Sequence, residues 1–304
     1  MREVFLPLTL DDLWETVFEY PQAMLYAGGT DLLVRQKMHN YNCNLTQNHN
    51  AGSPGKISSD LCYNPLICLE RIQELKEIYQ QDGMIFIGSC VSHARLLESA
   101  LIKRHFPVLI HALKVLGSPQ VRNMGTIGGN ICTASPAGDT LPPLYVLKAV
   151  LEIRSIDSKR FVPLKHFIKN PGETALQEYE ILYGIWIKSN QDFNLHHYEK
   201  VGQRKALAIA IASLAAVLRL SDAGIIEDAR FAWGSAGPKV VYSKKIDRAL
   251  IGKPLTEESL KSVIPLIREA VSPIDDIRAS AQYRRAVSGN LIFRLLQSGN
   301  NVKN

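Results

Sequence analysis

Long apolar runs, clustered cysteines and blocks of like charge are all missing from this sequence. No apolar stretch approaches the roughly 20 residues that cross a bilayer, and the opening MREVFLPLTLDDLW lacks a signal-peptide pattern. A cytoplasmic protein without membrane contact is therefore expected. The five cysteines, Cys43, Cys62, Cys68, Cys90 and Cys132, are odd in number and widely spaced, which speaks against a disulfide framework. Basic residues outnumber acidic ones to give a net charge of +6, yet they form no run of five and no motif interleaved with aromatics. Nucleic acid is thus not an expected partner, and an acidic protein surface suits the charge better. Internal repeats and low-complexity tracts are also lacking.

The residues that are present describe an ordinary folded chain. With 46% hydrophobic and 21% charged residues over 304 positions, there is apolar surface for two or three domains. The most informative feature is a pair of glycine turns far apart in the chain: Ala27, Gly28, Gly29, Thr30, Asp31, and then Thr126, Ile127, Gly128, Gly129, Asn130. Adjacent glycines let a backbone come close to a dinucleotide and turn successive N–H groups toward phosphate oxygens, while Thr and Asn add side-chain donors. The first turn follows an extended run, Ala23 to Ala27, and precedes a helix beginning Leu32, Leu33, Val34. Strand, turn and helix together make the setting of an anion site. It is not the Rossmann fingerprint, because the third glycine is missing and no acidic residue follows at the required distance.

Periodicity sets out the remaining elements. Val4 to Leu8 is extended, and Thr9 with Asp12 forms a capping box for a helix carrying Leu10, Leu13, Val17 and Phe18 and ending at Pro21. His39 to Asn64 is a polar Asn/Ser/Gly-rich stretch with Cys43, His49 and Cys62, read as a surface loop inserted into a compact domain. Leu66 to Leu69 is a strand, and Ile72, Leu75 and Ile78 give a short helical pattern. Asp82 and Gly83 turn into a strand from Met84 to Gly88, and Ser92 caps a helix through Leu96, Leu97 and Leu101. Another helix spans Val108 to Leu116 and stops at Gly117. Ser118 to Thr133 has three glycines and few helix formers, so irregular backbone wrapped on something else is expected there. Ala149 to Arg154 and Ile181 to Ile187 are strands, the second with Leu182 and Tyr183 on opposite faces. Pro171, Gly172, Glu173 and Thr174 mark the expected domain boundary. Beyond it, His197 to Val201, Ile209 to Leu220 and Ala229 to Gly234 imply a small antiparallel sheet, the last two joined by Asp222, Ala223 and Gly224. Helices close the chain, one opened by Thr256 and one carrying Tyr283, Arg284, Arg285 and Leu291.

These residues resemble the FAD-binding medium subunit of the molybdenum-containing hydroxylases, the xanthine dehydrogenase and carbon monoxide dehydrogenase family. The resemblance rests on the turn Ala27 to Leu32 and on Gly117, Ser118, Pro119, Gln120, Val121, Arg122, Asn123. It continues through Thr126 to Asn130 and Ala134, Ser135, Pro136 to Asp139, and then Tyr198, Glu199, Lys200 with Arg204, spanning nearly the whole chain. It implies an α+β protein: a two-part α/β FAD-binding domain of the PCMH type over residues 1–174, with parts of about 1–65 and 66–174, and a smaller α+β domain over 175–304. That second domain would hold a three-stranded antiparallel sheet and a helical bundle. The implied role is electron transfer, with FAD doing the redox chemistry. Implied partners are a molybdopterin-binding large subunit and a 2Fe-2S small subunit, with NAD as one electron acceptor. On this resemblance Leu25, Tyr26, Ala27, Gly28, Gly29, Thr30, Asp31 and Leu32 would line the diphosphate and ribityl chain. Thr126, Gly128, Gly129 and Asn130 would close the opposite side, Ser135 would also bind the cofactor, and Leu116 and Leu182 would be apolar walls. Asp139 would accept hydrogen bonds from the cofactor, and Lys200 would reach its phosphate or ring end. No catalytic residue and no metal ligand is assigned to this chain, since the hydroxylation itself belongs to a partner.

Read apart from the family, Asp139 serves equally as a cap for a helix from Leu141 to Leu147, Leu116 and Leu182 as plain core, and Lys200 as a solvated strand residue. The chain also departs from the family pattern. An acidic residue usually stands just before Ile-Ala after the arginine, whereas Leu207 and Ala208 precede Ile209 and Ala210 here, which bears on the electron acceptor. A branch resembling hydroxybenzoyl-CoA reductase carries four cysteines in a loop at the place of the insertion, for an extra iron-sulfur cluster. Here only Cys43 and Cys62 lie inside the loop with Cys68 just beyond, so free thiols are expected. Two other functions stay open at this point: a self-contained flavin oxidoreductase, and a non-catalytic assembly module.

Overall fold

A computed structural model describes residues 3–35, 64–204 and 207–300; the inserted loop with Cys43, His49 and Cys62 lies outside these described residues. β1 (Val4–Phe5), β2 (Met24–Tyr26) and β3 (Leu66–Cys68) make a parallel sheet in the order β1-β3-β2. Between the first two, the helix Leu10–Glu19 opens on a complete capping box, Thr9 Oγ1 accepting from Asp12 N and Asp12 Oδ2 from Thr9 N, both at 3.1 Å. Its buried stripe of Leu13, Trp14 and Val17 meets Ile67, Ile72, Leu75 and Phe86 in a small core. Burial of Leu75 overrides the helical pattern expected at Ile72, Leu75 and Ile78. Two 3-10 turns, Leu69–Arg71 and Gln73–Lys76, lead directly into a strand instead.

That strand, β4 (Ile78–Gln81), begins an antiparallel sheet with β5 (Met84–Gly88), β6 (Val150–Arg154) and β7 (Lys159–Pro163). A hairpin of β8 (Ile168–Asn170) and β9 (Glu173–Thr174) precedes β10 (Ile181–Lys188), which takes the central place in the order β4-β5-β10-β6-β7. The turn residues Pro171 to Thr174 therefore belong to a hairpin within the N-terminal unit, and the sheet runs past the boundary expected there. Turn chemistry is the same in a hairpin as in a linker. A bulge between Leu182 and Gly184 shifts the alternation of β10, so Leu182 shares the helical face with Ile185 and Ile187 while Tyr183 faces the first core.

The helical face is covered by His93–Glu98, Ala100–His105 and Pro107–Val115. Ser92 and Ser99 each cap a helix, so the single helix expected through Leu101 is split at Ser99. Ser118 to Thr133 is not irregular. Helices Pro119–Met124 and Ile127–Thr133 fill it, with Ser118 Oγ accepting from Val121 N at 3.2 Å and Thr126 Oγ1 from Gly129 N at 3.1 Å. Two caps and a proline at the first helical position outweigh the poor propensity of the glycines.

The third sheet, β11 (Leu195–Val201), β12 (Ala212–Leu220) and β13 (Ile226–Gly234), is antiparallel and sandwiched between two cores. Tyr198, Ala215, Val217 and Ala232 join the core of the N-terminal helices. Leu214, Ala216, Leu218, Phe231 and Trp233 face the terminal helices Lys244–Leu250, Glu257–Ala270 and Ala281–Asn290. Among the described residues no helix is long and apolar enough to cross a membrane.

Candidate functional site

The two glycine turns meet. A Cβ on Gly28 would overlap the Met124 carbonyl, so the first turn rests on the backbone leading into the second. Thr133 Oγ1 donates to Asp31 Oδ2 at 3.4 Å, and Arg35 holds the same carboxylate oxygen at 2.8 Å from one helical turn on. Between the turns lies a cleft of about 620 Å³. Residues Leu25 through Leu32 line it together with Leu116, Thr126, Gly129, Asn130, Ser135 and Asp139, and the C-terminal domain adds Leu207, Ala208 and Ile209.

What the turns offer differs. Among the described residues no protein acceptor takes the amides of Gly28, Gly29 or Thr30, and Gly29 adopts a φ of +67°, which a side chain would oppose. In the second turn the amides are spent. Ile127 N donates to Val91 O at 3.0 Å, Gly128 N to Ser89 O at 2.9 Å, Gly129 N to Thr126 Oγ1 at 3.1 Å and Asn130 N to Thr126 O at 3.0 Å. The expectation that both turns aim free amides at one phosphate is corrected here. Glycine serves closeness and room instead: a Cβ on Gly128 would lie 2.5 Å from Ser89 Cβ, whereas one on Gly129 would meet only Thr126 Oγ1, at 2.9 Å, and otherwise stand in open cleft. Donor capacity on this side comes from Asn130. Its Oδ1 accepts from Thr140 Oγ1 at 2.6 Å, and its Nδ2 has no acceptor among the described residues.

Gly128, Leu182 and Lys200 do not line the cleft. Gly128 is packed on Ser89 and Leu182 is buried in the N-terminal core. Lys200 Nζ donates to Asp139 Oδ2 at 2.7 Å and to Val115 O at 2.8 Å, and Tyr198 OH donates to Asp139 Oδ1 at 3.0 Å. Lys200 thus serves as a strut, with two protein acceptors taking two of the three N–H donors of its ammonium. Both Asp139 oxygens are engaged as well, and Asp139 caps no helix: Thr140 occupies that position, without a side-chain cap bond. The trio ties β11 to the N-terminal domain at the edge of the cleft. Burial raises the Asp139 carboxyl above its ordinary value, with Lys200 and Tyr198 opposing the rise.

Sequence reasoning missed His93. It lines the cleft, is almost fully buried, and its Nδ1 finds no partner among the described residues. Burial, with Arg122 alongside, pushes its pKa down to about 4, so the ring is neutral near pH 7. The only trace of it in the sequence is its place directly after the capping Ser92.

Residues 56–187 match the family model for the FAD binding domain in molybdopterin dehydrogenase, and residues 197–298 that for the CO dehydrogenase flavoprotein C-terminal domain. The chain is 30% identical to the xanthine dehydrogenase FAD-binding subunit of Escherichia coli O157:H7, over 91% of this chain and 88% of that one. It is 28% identical to the nicotinate dehydrogenase FAD-subunit of Eubacterium barkeri, over 93% and 90% respectively. In fold it matches quinoline 2-oxidoreductase from Pseudomonas putida 86 with a TM-score of 0.85 at 24% identity, covering 100% of this chain and 99% of that one. Carbon monoxide dehydrogenase from Hydrogenophaga pseudoflava gives a TM-score of 0.83 at 25% identity, over 99% and 98%. Fold and relatives together define an FAD-binding oxidoreductase subunit. The chain belongs to the medium subunits of the molybdenum-containing hydroxylases, the xanthine dehydrogenase and carbon monoxide dehydrogenase family. The fold class, the cofactor and the family read from the sequence are borne out.

Proposed function

We propose that this chain relays electrons within a hydroxylase complex, receiving them from the 2Fe-2S clusters of a small subunit and delivering them to NAD or another acceptor. Hydroxylation would take place on a molybdopterin-binding large subunit. The observation that carries this reading is the cleft between the domains, floored by a turn whose amides have no acceptor among the described residues. FAD bound there would exchange electrons one or two at a time, chemistry that belongs to the cofactor. The residues fit such a group. Gly28, Gly29 and Thr30 supply amides for a diphosphate, Asn130 Nδ2 and the Ser135 hydroxyl supply further donors, and Gly129 leaves room for close approach. Tyr26, Ala27, Leu32 and Leu116 offer apolar wall, while Leu25, Asp31 and Thr126 set the shape of the turns. Leu207 and Ile209, half or more exposed, would shed water by covering a bound cofactor. Lys200 and Tyr198 would act through Asp139, keeping the two domains at a set spacing. With Leu207 and Ala208 ahead of Ile209, this loop has no negative charge that could bias the flavin or its acceptor.

Purification of a tagged chain from its own host tests the proposal. Flavin absorbance, co-elution of two further subunits, and molybdenum and iron in the same fraction are expected. Turnover of a reducing substrate by the isolated flavin-loaded chain would establish a self-contained oxidoreductase instead, and a colourless chain that refuses FAD would establish an assembly module.

A further inference from the structure

A second concavity lies at the other end of the helix Leu141–Val146 from Asp139, with walls from both domains. Its volume is about 580 Å³, within the range of pockets that enclose a nucleotide-sized ligand, and it shares no residue with the cofactor cleft. We propose that this cavity binds a nucleoside phosphate.

The charges point that way. Five cationic side chains and two carboxylates line the cavity. Arg230 is committed to the protein, donating to Val146 O at 3.0 Å and Gln191 Oε1 at 2.8 Å, with its guanidinium over the Phe193 ring at 4.6 Å. Lys148, Lys165, Lys244 and Arg248 have no side-chain hydrogen bond or ion pair to any described residue. Asp228 and Asp247 lie close enough to act on Lys148, yet with Arg230 the five cations outnumber these two carboxylates, and the excess focuses a positive potential into the concavity. Surface lysines alone would not specify a ligand, but the rest of the lining does. Tyr145 and Tyr242, with ring centroids 6.0 Å apart and planes at 60°, stand beside Leu144, Ala149, Val150 and Ile251 as a surface for a flat ring. Asp247 Oδ1 accepts from Phe231 N at 3.1 Å and Asp228 Oδ1 from Ala229 N at 2.9 Å, which fixes both carboxylates and leaves the second oxygen of each to accept from sugar hydroxyls. Phosphate on the rim cations, ring on the tyrosines and ribose on the aspartates account for all three kinds of lining group. Because Tyr145 and Lys165 belong to the N-terminal domain and Asp247 and Lys244 to the C-terminal one, an occupied cavity would tie the domains together behind the cofactor cleft.

Calorimetric titration of the FAD-loaded chain tests this, the flavin being needed so that the probe cannot enter the cofactor cleft. ATP is expected to saturate one site per chain without displacing flavin, and inorganic phosphate to bind far more weakly. The exposed double variant Lys148→Glu/Lys244→Glu should weaken ATP at least about tenfold, with flavin content and Tm unchanged. Tyr242→Ala should weaken ATP but not phosphate. Failure of ATP to saturate at millimolar concentration, or equal binding by the charge-reversed variant, overturns the proposal. Phosphate binding as tight as ATP overturns the nucleoside part, leaving an anion patch.

Discussion

Gly129 separates the cofactor reading from a purely structural one. It sits inside the helix Ile127–Thr133, where alanine is intrinsically better by about 0.5–1 kcal/mol. A methyl at this position would meet only Thr126 Oγ1, at 2.9 Å, a side-chain atom that can yield at some expense to the cap it provides, worth about 0.5–2 kcal/mol when lost entirely. The two effects oppose each other, so Gly129→Ala should change stability by no more than about 1 kcal/mol, roughly 2–4 °C in Tm for a chain of this class. The same methyl stands in open cleft, where a diphosphate would have to approach the backbone closely. Flavin affinity should fall at least about tenfold, or about 1.4 kcal/mol. Fluorescence titration of the deflavinated variant with FAD, run beside a thermal melt, reads both quantities. Wild-type affinity with an unchanged melt would refute the reasoning, because it would mean that no ligand group comes near Gly129. Gly28→Ala is the contrasting control: its methyl collides with the Met124 backbone, so stability and flavin binding should fall together.

Asp139→Ala should destabilise the chain by about 3 kcal/mol in urea unfolding, because it leaves the Lys200 ammonium buried with only the Val115 carbonyl. Asp139→Leu with Lys200→Met should recover most of that loss, and a double variant no better than the single would show that the pair is not the interdomain strut described. Acid should weaken the fold through its buried histidines. His93 and His197 are each pushed from 6.5 to about 4, chiefly by burial, so the unfolded chain takes up protons that the native one refuses. Their contribution is fully present above pH 6.5 and is lost progressively as pH falls toward 4, on the order of 3 kcal/mol for His93. Equilibrium unfolding of His93→Gln between pH 7 and 4 should show a shallower slope than the parent, and an identical slope would remove His93 from the account. Glu152 is fully buried, with Trp186 Nε1 donating to it at 2.6 Å and Arg154 and Lys159 beside it. Glu152→Ala should cost about 2–4 kcal/mol of stability yet leave flavin affinity intact, since this cluster lies outside the cleft.

Features governed by neighbours in sequence were legible in the sequence itself. The Thr9–Asp12 capping box, the extended runs that became β12 and β13, the Asp222–Gly224 hairpin turn and the strand-turn-helix around Gly28 each depend on a few adjacent residues. Their spacing carries the physics directly. The long motif from Gly117 to Asp139 carried the family as well. Tertiary structure alone decided which groups are free. It placed the Ser89 and Val91 carbonyls against the amides of Gly128 and Ile127, set Lys200 on Asp139 instead of the cleft, and brought His93 to the cleft wall. It also made β10 the centre of a sheet that passes the turn residues where a boundary was expected. A donor is available to a ligand only if no other part of the fold has claimed it, and that depends on atoms brought close by packing from distant parts of the chain, which no local pattern records.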